Sequence, residues 1–143
     1  MTTITTPTQS IQRQIDAYGF TDFIDAAKTQ LKITDPDSAD HAILDFLLKH
    51  GVGAENAKCW KQINEHLSGL GLKMPKNYFQ TNMLQRSRRN TFYIGSCHKG
   101  FFLIAKQSDV DTTLAFYKGR IAKENANRDA LLFLATQANF KNA

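Results

Sequence analysis

Hydrophobic residues recur at helical spacing along most of this chain and give way to strand-like runs in one region only. Ile11, Ile15 and Tyr18 repeat at i, i+4 and i+7 behind Thr6-Pro7, a cap followed by a first-turn proline, and Gly19 ends the pattern. Ile24, Ala27 and Leu31 then share one face of a second helix, capped by Thr21 and ending before Thr34. Asp35-Pro36 repeats the cap-then-proline device and opens a third helix, with Ala39, Ile43, Phe46, Leu47 and His50 at helical spacing before Gly51. After the turn Gly51-Val52-Gly53 comes a fourth helix over 55–68. Its stripe is Trp60, Ile63 and Leu67, and Gly69 and Gly71 stop it.

Pro75 opens a fifth amphipathic helix over 75–87, in which Phe79, Met83 and Leu84 face inward and Lys76, Asn77, Gln80, Thr81 and Gln85 face outward. The period then changes. Thr91-Phe92-Tyr93-Ile94 and Phe101-Phe102-Leu103-Ile104 are β-branched and aromatic runs separated by Gly95 to Gly100, a β-hairpin whose return uses the positive φ open to Gly100. Ser108-Asp109 caps a closing helix with the stripe Val110, Leu114, Tyr117 and Ile121. The helical pattern persists through Leu131, Leu134 and Ala138, with Asn125-Ala126-Asn127 as a candidate break. A helix of this length packs over a domain or pairs with a second copy. The pattern therefore predicts a mainly α protein with a small β-hairpin, an α+β fold. Its parts are an N-terminal helical arm (1–34), a central unit (35–107) and a C-terminal helical extension (108–143).

Length and composition narrow the class. At 143 residues, 42% hydrophobic and 22% charged, the chain has the make-up of one ordinary globular domain. No apolar run reaches the roughly 18 to 20 residues of a membrane span, and the N-terminus lacks the basic and apolar regions of a secretion signal. A soluble, cytoplasmic protein is expected. Two cysteines, Cys59 and Cys97, are too few for a disulfide framework and are expected to be free thiols.

Charge adds a direction. No acidic residue occurs between His66 and Ser108, whereas Lys73, Lys76, Arg86, Arg88, Arg89, Lys99 and Lys106 all fall there. With 18 basic and 13 acidic residues in all, removing those seven leaves 11 against 13, so the whole of the net +5 resides in this segment. A basic field confined to one helix and one hairpin suits a polyanionic partner.

Catalytic chemistry finds no footing. Cys59, His66, Cys97 and His98 do not have structural-zinc spacing. Cys97 and His98 are adjacent, would point to opposite sides of a strand, and have no third group to orient them as a nucleophile pair. The basic surface lacks the carboxylates that a metal-dependent nuclease needs, and Gly69-Leu70-Gly71 lacks the remainder of a phosphate-binding loop. The expectation is a non-enzyme without metal or cofactor.

The order helix, helix, outward-reading helix, hairpin, helix resembles a winged helix-turn-helix domain. The run from Phe92 to Ile104 resembles the wing of small winged-helix proteins from phage, mobile-element and restriction-modification settings, with an Ile-Gly-Ser entry and a Gly-aromatic-aromatic return around the tip. The likeness covers 35–106. It implies a regulatory or phage- or restriction-associated protein that binds double-stranded DNA, with Lys76, Asn77, Gln80 and Thr81 in a groove and the wing residues His98 and Lys99 beside it. Lys73 and the arginines Arg86, Arg88 and Arg89 would contact phosphates. The same resemblance admits a protein-binding inhibitor or adaptor whose basic face meets an acidic protein partner. The helices before 35 and after 107 are additions to the minimal domain, and a homodimer through either set is a further expectation.

Overall fold

The computed structural model describes residues 22–89 and 92–138, together with Gln9, Gln12, Arg13 and Asp16. The stripe Ile11, Ile15 and Tyr18 and the expected cap Thr21 lie outside the described residues. Helix α1 (Phe23–Ile33) is capped by Asp22, whose carboxylate accepts the Asp25 amide at 2.7 Å. Ala26 and Ala27 are fully buried, and Ile24 and Leu31 pack beside them.

Helix α2 (Ala39–His50) begins later than the Asp35-Pro36 device suggests. Residues 35–38 form a turn in which the Ser38 amide donates to Asp35 O at 3.0 Å, with Pro36 in the position that suits its fixed φ. Ser38 is the cap, accepting the His41 amide at 3.1 Å. Gly51 closes the helix by donating to Leu47 O at 2.8 Å.

The fourth helix also starts late. Ala54–Asn56 is a single 3-10 turn, and α3 runs over Trp60–Gly69, entered through the Cys59 amide, which donates to Gln62 Oε1 at 3.0 Å. The intervening backbone is extended because it is used elsewhere: Lys58 and Phe101 exchange amide hydrogen bonds of 2.8 and 2.9 Å, and Gly51 and Gly53 bond Leu103. The segment 51–58 thus lines the outer edge of β2 in two short bridges.

Helix α4 spans 76–89 in three parts: an α-helical turn (Lys76–Tyr78), a wide π turn (Phe79–Met83) and an α-helical end (Leu84–Arg89). The hairpin strands, β1 (Ile94–Cys97) and β2 (Gly100–Leu103), pair antiparallel with Gly95 opposite Phe102 and Cys97 opposite Gly100. β1 lies three residues and β2 one residue nearer the tip than the aromatic runs imply. The tip shrinks to His98 and Lys99, because Gly95 and Ser96 pair through backbone alone. At Gly100 the backbone has φ 134°, and a Cβ there would overlap the Lys58 carbonyl, so glycine is needed twice over. Closing the chain is α5 (Gln107–Ala138), one unbroken helix with no interruption at Asn125-Ala126-Asn127. No described helix is long and apolar enough to cross a membrane.

The core lies between α1, α2, α3, α4 and the hairpin. Ile43, Leu44 and Leu47 of α2, Ile63 and Leu67 of α3, Phe79 and Leu84 of α4, and Ile94 and Leu103 of the hairpin form one cluster. Phe79 is its hinge, with ring centroids 5.1 Å from Trp60 and 4.9 Å from Phe101 in an edge-on contact. The fold is mainly helical with a two-stranded antiparallel hairpin, as the pattern predicts.

Candidate nucleic-acid interface

Because Phe79, Met83 and Leu84 are all buried, the opposite side of α4 is turned to solvent. Lys76, Asn77, Gln80, Thr81 and Gln85 are exposed, as is Lys73 in the loop before the helix. Thr81 donates its hydroxyl to Asn77 O at 2.7 Å and accepts from Asn82 at 3.2 Å, so its hydroxyl is engaged within the helix while the exposed amides of Asn77, Gln80 and Gln85 stand around it. His98 and Lys99 are exposed at the hairpin tip.

These two elements meet across one groove. Gln80, Thr81 and Gln85 line one wall, and Ser96, Cys97 and Phe101 of the hairpin line the other. Phe116 and Arg120 of α5 complete the lining, which includes no acidic side chain among the described residues. Arg120 is a cation at the site that the sequence pattern does not single out. Its only signal is its spacing of four residues from Phe116, which puts both on one face of α5.

Arg86 is directed elsewhere. It shares the Met83 side of α4 and pairs with Asp40 of α2 in a small pocket that also includes Gln30, Thr34, Leu44 and Phe92. The sequence segment is free of acids, but folding brings an acid from another element to it. Lys106 is likewise matched, 3.2 Å from Glu55. The Glu55 carboxyl is held below its usual range by its own backbone amide first and by Lys106 second. Arg88 and Arg89 end α4, and their side chains fall outside the described residues.

Other polar groups have structural work. Ser87 is fully buried, donating to Leu84 O at 2.8 Å and accepting the Ile94 amide at 3.4 Å, which couples the end of α4 to β1. His66 stacks on Phe46 with centroids 4.5 Å apart. Cys59 and Cys97 are free thiols, and among the described residues no cluster of three metal-ligating side chains occurs.

Compared with protein-family models, with curated proteins and with solved structures, the chain finds no match in any of the three. Geometry and charge therefore carry the functional reading alone.

Proposed function

We propose that the protein binds double-stranded DNA through a winged helix-turn-helix unit, with α4 in the major groove and the 94–103 hairpin as its wing. The observation that carries this is the groove in which the exposed amide face of α4 adjoins the hairpin, lined among the described residues by the cation Arg120 and by no acid, with Lys76 exposed on the first turn of the same helix and Lys73 in the loop before it. Exposed amides on the first turns of a helix beside a basic tip are the arrangement that reads base edges while the backbone is held electrostatically. The pairing of 51–58 along the free edge of β2 supports the same reading, since it gives the hairpin a third strand-like neighbour between α2 and α3.

Lys73, Lys76, Lys99, Arg88, Arg89 and Arg120 supply the phosphate contacts in this reading, with Arg86 retained by Asp40. Asn77 and Gln80 supply base contacts. A gel shift on random duplex at two salt concentrations tests it: affinity should fall steeply with salt and heparin should compete. Absence of duplex affinity at low salt would reject the proposal and favour an acidic protein as the partner of the same face.

A further inference from the structure

Among the described residues, the body of the protein packs on the first third of α5. Asp109 and Thr113 are buried, and the Tyr117 and Tyr93 hydroxyls lie 2.8 Å apart. From Lys118 to Ala138 every residue is exposed except Ala135, which is half-buried. That stretch carries Ile121, Leu131, Leu132, Phe133 and Leu134 at 59% to 67% exposure, a large apolar load for about 30 Å of isolated helix, of which Phe133 alone lies on the side away from the rows described next.

Two heptad rows run through the helix, beside the continuous apolar run Leu131 to Leu134. Leu114, Ile121, Arg128 and Ala135 recur every seven residues, and Tyr117, Glu124, Leu131 and Ala138 recur three residues after each. These two rows form one seam, interrupted only by Glu124 and Arg128. Its lower end runs into an apolar groove lined by Phe23, Tyr93, Ile104, Val110, Leu114 and Tyr117.

We infer that α5 pairs antiparallel with α5 of a second copy, in the register that sets Ile121 against the partner's Leu131. In an antiparallel pair, one row faces the other row. That single register also sets Leu114 against the partner's Ala138 and Tyr117 against the partner's Ala135. It sets Glu124 against the partner's Arg128, which within its own chain makes an exposed 3.2 Å contact to Asp129, so the two charges that break the seam meet opposite charge, twice by symmetry. Where the two-fold axis makes a position meet itself, the residues are Asn125 and Asn127, amides that both donate and accept. A parallel pair would stack Glu124 on the partner's Glu124 and Arg128 on the partner's Arg128. The ionic layers therefore select the antiparallel orientation and its register.

The flanks agree. Lys118 and Arg120 lie beside the partner's Leu132 and the partner's Leu134, where their aliphatic stems cover apolar surface and their charges reach solvent. The partner's helix end is delivered to the mouth of the apolar groove beside Leu114 and Tyr117. This inference stands independently of DNA binding.

Sedimentation equilibrium of the full chain across the micromolar range tests it. Wild type should be dimeric, Glu124→Arg should raise the dissociation constant by at least about tenfold, and Glu124→Arg/Arg128→Glu should restore it. In a Cys59→Ser/Cys97→Ser background, Ile121→Cys/Leu131→Cys should form a disulfide-linked dimer on mild oxidation. Ile121→Cys alone should not, since its copies would lie about 15 Å apart along the helix axis. Circular dichroism checks that each variant is folded. A monomeric wild type, a double charge variant as weak as the single one, or efficient cross-linking by Ile121→Cys alone would each overturn the inference.

Discussion

The buried carboxylate of Asp109 accepts the Ala54 amide at 2.9 Å, joining α5 to a turn 55 residues earlier in the chain. Its other oxygen accepts the Ala105 and Lys106 amides at 3.0 and 3.2 Å. The bond to Lys106 is the reach-back of a third helical residue to its cap, so the helix starts at Gln107 rather than after a Ser108-Asp109 cap. Asp109→Ala strands three backbone donors, and a loss of about 2 to 4 kcal/mol is expected from urea denaturation. A change under about 0.5 kcal/mol would show that water replaces the carboxylate at no cost.

Gly95 is set by close approach rather than by its φ. A Cβ there would lie 2.6 Å from Thr113 Oγ1 and 2.7 Å from the Phe102 ring. Gly95→Ala should lower stability by about 1 to 3 kcal/mol through overpacking, and adding Thr113→Ala should return part of it. Thr113 Oγ1 is buried with no hydrogen-bond partner among the described residues, so Thr113→Val should be neutral or stabilising in a thermal melt.

Arg86 and Arg120 should part company in DNA binding. Because Arg86 is paired with Asp40, Arg86→Ala should leave the salt slope of duplex affinity unchanged and shift stability by no more than about 1 kcal/mol, the pair being half-exposed. Arg120→Ala and Lys76→Ala should each reduce the slope by about one unit. Equal slopes for all three variants would show that the Asp40 pair opens on binding.

Asn77→Ala/Gln80→Ala should degrade the consensus selected from a random duplex pool while leaving non-specific affinity in place. Each paired amide contact to adenine is worth about 1 to 3 kcal/mol of discrimination. A wild type that selects no consensus would limit α4 to electrostatic contact.

Acid should loosen α1 through its cap. The Asp22 carboxyl lies below its ordinary value of 3.8, chiefly because it accepts the Asp25 amide. A depressed folded-state pKa contributes stability that is present above the ordinary value and lost as pH falls through the folded one. Thermal melts of wild type and Asp22→Ala should therefore differ above pH 4 and converge below it. A gap that persists at pH 2 would locate the effect outside the carboxylate's charge.

The helical stripes of α1 to α5 and the existence of the hairpin were legible because apolar spacing survives any tertiary context. Starts were less so. Asp35 and Ser38 both stand where a helix could begin, and the turn over 35–38 decides for Ser38; Glu55 and Cys59 do likewise, and the pairing of Val52 and Lys58 with β2 delays the helix to Cys59. Backbone pairing leaves no mark on side chains, so the strands' shift toward the tip was also hidden. At the site, the outward row of α4 follows directly from the inward one. Arg86 misled because its acid, Asp40, comes from α2, and Arg120 was missed because α5 reaches the groove only after folding.

The wide turn in α4 bears on how the chain's length is used. Among the residues of this helix whose side chains are described, Phe79, Met83, Leu84 and Ser87 are buried, spaced at 4, 5 and 8 from the first. An ordinary helix would bury a set spaced at 3, 4 and 7. The chain thus holds one residue beyond what the buried stripe requires, and the π turn displays that surplus among the exposed Gln80, Thr81 and Asn82, the first two of which line the groove. Deleting Thr81 brings the four buried residues into regular spacing. The shortened protein should keep its fold and melting temperature while presenting a narrower outward face, so a loss of partner binding without loss of stability would mark the surplus residue as one kept for recognition.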